Sequence, residues 1–157
     1  MSLDPVVVTV TVPAEPDVAF EVFTDRLGTW WPLAGFSLGA ERIVAVEFGR
    51  AVGEWVVEVW DDGTRRRWAE VLHFDEPDAL ALACNPGGWD EGGEPTRVDV
   101  TFTATGDGST EVRLVHTGWE AWGDEAVQGR AGYEEGWPIV LSGYVAAAGG
   151  PSDVRVS

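Results

Sequence analysis

The chain opens on "VVVTVTV", Val6 to Val12, a β-branched run with the period of two expected of a strand. The spacing then changes. Pro16 suits the first position of a helix, with Glu15 before it as a mediocre cap, and Val18, Val22 and Phe23 fall on one face. A second short helix fits Asp25 to Trp31, ended by Pro32. Beyond it the period of two returns, and "ERIVAVEF", "EWVVEVW", "RRRWAEVLHF", "ALALAC", "TRVDVTFTAT" and "TEVRLVH" read as strands. Asp62-Gly63 and Asp107-Gly108 mark hairpins, and "DEPDA" around Pro77 marks another turn. In one strand Val98, Val100, Phe102 and Ala104 alternate with Arg97, Asp99, Thr101 and Thr103, which predicts one buried and one wet face. Asn85 to Pro95, "NPGGWDEGGEP", has no period and reads as a loop.

Helical spacing resumes near the C-terminus. Tyr133, Trp137, Leu141, Tyr144 and Ala148 recur at steps of three or four, a stripe on one helix face. Gly129, Gly132, Gly136 and Gly143 weaken that helix by roughly 1 kcal/mol each against alanine, and Pro138 predicts a kink or fresh start near Trp137. Gly149 and Gly150 stop it. The order of elements predicts an α+β fold: a curved antiparallel sheet of about seven strands wrapped round a long C-terminal helix, with two short helices after the first strand. Residues 1–150 are expected to form a single domain and 151–157 a tail.

Several stretches resemble a known family. "VTVPAEPDVAFEVFTD" resembles its opening strand and Pro-started helix, and "WWP" its aromatic segment after the two small helices. "RWAEVLHFDEPDALAL" is similar to the central strand pair, "TEVRLVHTGW" to the last strand, and "EEGWPIVLSGYV" to the start of the long helix. The family is the START-like, or SRPBCC, superfamily with its helix-grip fold, in the branch of the activator of the heat-shock chaperone ATPase. One departure is "GRAVGEW", which has only Gly53 where the family often carries a Gly-Gly pair. The resemblance implies a cavity between sheet and long helix, with Trp30 and Trp31 at its rim. Trp55, Trp60, Trp68, Trp122 and Trp137, with Leu141 and His73, are the expected lining. The chain has nine tryptophans, and each can either fill core volume or wall such a cavity.

Composition narrows the partners. The 27 acidic and 10 basic residues give a net charge of −17, and every base is arginine. Such a surface repels nucleic acid and anionic membranes. No apolar run approaches the ~20 residues of a membrane span, and the N-terminus reads as a strand rather than a leader, so a cytoplasmic protein is expected. Cys84 is the sole cysteine, lies in an apolar run, and is expected to be a buried structural thiol.

His73 and His116 are the only histidines, and neither has metal-ligand spacing. No cofactor fingerprint or phosphate loop is present, so neither a metal nor a cofactor is expected. Among the acids, Glu54, Glu58 and Glu70 lie in strands. One that faced a cavity beside tryptophan would be a candidate general acid or base, with Arg67 or Arg113 as partner. Three readings stay open. The favoured one is a binding protein for an apolar or aromatic small molecule or lipid. The others are a polyketide cyclase- or dehydratase-like enzyme, and a chaperone-associated module in stress response. Exposed edges leave a homodimer open as well.

Overall fold

The computed structural model describes residues 3–30, 43–84 and 95–149, and the backbone of 154–156. Its strands are β1 (Val6–Val12), β2 (Ile43–Phe48), β3 (Trp55–Trp60), β4 (Arg65–Asp75), β5 (Ala79–Cys84), β6 (Thr96–Ala104), β7 (Thr110–Thr117) and β8 (Val154–Val156). Helices α1 (Pro16–Thr24) and α2 (Leu27–Trp30) follow β1. A 3-10 segment (Trp119–Glu125) leads into the long α3 (Ala126–Ala147). The strands form one antiparallel sheet in the order β2-β3-β4-β5-β6-β7-β1-β8. The last strand comes from the segment expected as a tail: Val156 stands opposite Val8 at the sheet edge.

Alternation decides the sheet's two faces. In β1, Val6, Val8, Val10 and Val12 are buried, and in β7 Val112, Leu114 and His116 join them. The buried set of β6 is Thr96, Val98, Val100 and Phe102, while Ala104 is exposed at the strand's end. Strand β4 breaks strict alternation twice. Val56 pairs with Ala69 while Val57 pairs with Arg67, so Trp68 is an extra residue; Leu72 is a second, between Val71 and His73. The two bulges let Trp68, Ala69, Val71 and Phe74 all reach the core side.

Helix α3 runs without a break through Pro138, where the sequence predicted a kink or fresh start. Trp137, Val140, Leu141, Tyr144 and Val145 are buried along it. Two of its glycines are contact points. A Cβ on Gly143 would lie 2.8 Å from the Trp30 carbonyl oxygen, and one on Gly129 would lie 2.1 Å from the Trp122 ring. Bare backbone at these positions lets α2 and the 3-10 segment close on the helix.

The core under α1 and α2 is aromatic. Phe20 meets Phe74 and Phe102, and Phe23 meets Trp30, Phe102 and Tyr144, with ring centroids 5.0–5.7 Å apart. Each polar tip has an acceptor: Trp30 Nε1 donates to the Val22 carbonyl and Tyr144 Oη to the Ala19 carbonyl, both at 2.7 Å. Arg50 ties three pieces together outside this core. It bridges Asp25 at the end of α1 and Glu76 in the β4–β5 turn, each at 2.5 Å, and lies over the Phe74 ring.

Candidate functional site

A cleft opens on the inner face of β3 and β4, where α2 packs against β2. Leu27, Val46, Val56, Glu58 and Trp68 line it; it is shallow and open to solvent, with a cavity volume of about 10 Å³, room for one water. Each wall has a local cause. Leu27 is set by the turn that joins α1 to α2. Val56 and Glu58 share the inward face of β3, and the first β4 bulge turns Trp68 to the same side.

Glu58 is the unusual member of this lining, being only 3% exposed. Trp60 Nε1 donates to Glu58 Oε1 at 3.1 Å, and the Arg66 guanidinium lies 5.8 Å from the Trp60 ring centroid. Arg66 is also the cross-strand neighbour of Glu58. The sequence offered Glu58 together with Glu54 and Glu70 as strand acids; the arginine opposite Glu58 in register is Arg66 rather than Arg67 or Arg113.

A second cluster surrounds His116, which is fully buried. Trp137 Nε1 donates to His116 Nδ1 at 3.0 Å. An indole nitrogen only donates, so the ring proton sits on Nε2, which donates to Thr96 Oγ1 at 2.7 Å. Thr96 Oγ1 passes its own proton towards the Cys84 carbonyl at 3.4 Å. Trp119 and Tyr133 pack on the ring, 4.1 and 4.8 Å between centroids, and Trp122 closes on both. Burial drives the His116 pKa down to about 3. Burial also pushes the Cys84 thiol up to about 12, and it raises the Tyr133 phenol. With both nitrogens engaged and the imidazole neutral, this cluster holds the fold and is a poor acid–base pair at neutral pH.

The residues expected to line a cavity therefore divide. Trp68 is in the cleft. Trp30 fills the aromatic core, and Leu141 is fully buried beneath α3. Trp122 and Trp137 belong to the His116 cluster. Trp55 stands on the outer face, under the Arg67 guanidinium at 4.6 Å, and His73 is exposed on that same face opposite Ala81. Trp31, like Trp89, lies outside the described residues. Sequence reasoning missed Leu27, Val46 and Val56 as lining. The first sits in a helix too short for a period, and the others look like any strand valine. Among the described residues no group of three or more His, Cys, Asp and Glu side chains is placed to hold a metal, and no helix is long and apolar enough to cross a membrane.

The family described as Activator of Hsp90 ATPase homolog 1-like protein matches residues 13–147. The chain belongs to this family. It carries the helix-grip architecture that the quoted stretches implied, and solved structures share it. One is an anthrahydroquino-gamma-pyrone synthase, Txn09, 28% identical over 80% of this chain and 83% of its own, with a TM-score of 0.58. Another is CalC, a self-sacrificing resistance protein from Micromonospora echinospora, 24% identical over 94% and 96% with a TM-score of 0.64. A third is MLL2253 from Mesorhizobium loti, 20% identical over 91% and 95% with a TM-score of 0.65. No curated protein matches the sequence.

Proposed function

We propose that this family member binds an apolar or aromatic small molecule, or a lipid, on the inner face of the sheet, entering by the cleft between α2 and β2–β4. The observation that carries the reading is the lining itself: four apolar side chains from four elements converge around one carboxylate at a shallow cleft that opens to solvent. Concave apolar sites with a few placed polar groups are the usual form of small-molecule pockets. The Txn09 relative, a synthase by name, supports a polycyclic aromatic as the ligand class. Trp68 reports on the site. Titration with a panel of polycyclic aromatics and fatty acids should give saturable quenching of tryptophan fluorescence for at least one compound. Trp68→Ala should weaken that binding about tenfold, and Trp68→Phe less. A flat response across the panel would contradict the proposal.

Glu58 favours a second reading, an acid–base enzyme of the cyclase or dehydratase type. It is the buried ionisable group that faces the cleft, whereas His116 is engaged on both nitrogens and His73 faces away. Conversion of a bound compound, followed by mass spectrometry and lost in Glu58→Gln, would establish catalysis; unchanged compound after long incubation would leave binding alone.

A further inference from the structure

We infer that α2 is a latched flap: the Arg50 ion pairs hold its Leu27 end shut, and that end lifts about Trp30 to admit a ligand. The inference rests on the cleft being the binding site. With room for one water, about 10 Å³, the closed cleft takes no aromatic ring. Pockets for drug-sized ligands run to roughly 300–1,000 Å³, so a wall has to move. Val46, Val56, Glu58 and Trp68 belong to strands paired in one ladder, with Val46 opposite Glu58 and Val56 opposite Ala69. Among the described residues of the lining, Leu27 alone comes from a helix. That helix is four residues long and cannot hold itself in place. Its two ends are held differently. At the far end Trp30 donates to the Val22 carbonyl, packs on Phe23 and Tyr144, and lays its own carbonyl against Gly143 of α3. Between the ends, Gly28 seats on β2, where an added Cβ would come 3.3 Å from the Val46 nitrogen. The near end is tied from outside, by charge. Asp25, two residues before Leu27, takes Arg50 Nη1 at 2.5 Å, while Arg50 Nη2 holds Glu76 at 2.5 Å. All three side chains are partly exposed, and exposed ion pairs are weak. The Leu27 end therefore opens before the aromatic Trp30 end. Opening uncovers the Leu27 side chain, and an apolar ligand that covers it again favours the open state.

The test reads amide hydrogen exchange at Leu27 to Trp30 in the free protein, then the association rate of 2-naphthol, an uncharged probe, by stopped-flow tryptophan quenching. Arg50→Gln should speed that exchange by about fivefold or more. 2-Naphthol should then associate about threefold faster or more. Asp25→Asn should do the same. Asp25 caps the C-terminal end of α1, where a carboxylate opposes the helix dipole, so this variant steadies α1 while it releases α2. Glu76→Gln leaves the Asp25 arm in place, and Arg97→Gln breaks an exposed pair on β6. Both should stay within about twofold of the native chain. Unchanged exchange in Arg50→Gln and Asp25→Asn, or an equal rise in Arg97→Gln, would overturn the latch while leaving the pocket in place. Faster exchange with an unchanged association rate would overturn the flap as the way in. Faster exchange with no 2-naphthol bound by any chain would overturn the cleft as the site. Asp25→Asn decides the matter if Arg50→Gln does not fold.

Discussion

Trp137 and Thr96 between them occupy both nitrogens of His116, so an added proton has nowhere to go without breaking the hydrogen bond from the indole. The folded protein holds this imidazole neutral down to about pH 3, while the unfolded chain protonates it near 6.5. Its stabilising contribution is therefore whole above pH 6.5 and drains away as the pH falls towards 3. Two pH units of that window correspond to about 3 kcal/mol. Between pH 7 and 4.5, urea unfolding of the native chain and of His116→Gln should converge by roughly this amount; a constant gap would refute the assignment. Strand alternation puts His116 on the same face as Val112 and Leu114, and all three are buried. The partners of His116 were hidden, since Thr96 and Trp137 are 20 and 21 residues away along the chain.

Elements were legible where one period dominates. The alternation of β1, β6 and β7 and the stripe on α3 follow from a buried face and a wet one. Strict parity does not hold in β4, where the bulges at Trp68 and Leu72 bring Val71 and Phe74 to one side. Glycine was misread. Counted as a helix breaker, Gly143 is a defect; beside the Trp30 carbonyl it is what lets α2 dock. Gly132 has open space around it and serves as the control. Gly132→Ala should raise stability by about 0.5–1 kcal/mol, as expected for helix propensity. Gly143→Ala should lower it by about 1–3 kcal/mol, because a backbone oxygen cannot swing aside. Denaturant midpoints check both, and a gain at Gly143 would mean that α2 does not pack on the helix as described.

For the molecule as a whole, charge and concavity are the two features that bear on function. Ion pairs such as Arg97–Asp99 and Arg130–Glu134 offset only part of the acid excess, and exposed pairs contribute little each. The remaining acids repel one another across the surface, so raising NaCl from 10 to 200 mM should lift the thermal midpoint by a few degrees. A midpoint that falls would place the ion pairs above the repulsion. The fold was readable at this scale because the order of elements has few packings. The cleft was not, because Leu27, Val46, Val56, Glu58 and Trp68 come together only when α2 packs against β2 and the bulge in β4 turns Trp68 inward. The sharpest test of that cleft follows the tryptophan indole N–H signals by nitrogen-15 NMR as 2-naphthol is added. The signals of Trp60 and Trp68 should move in a saturable way while those of Trp30, Trp119 and Trp137 stay. Shifts confined to the latter three, or no shift at all, would contradict a binding site between α2 and β2–β4.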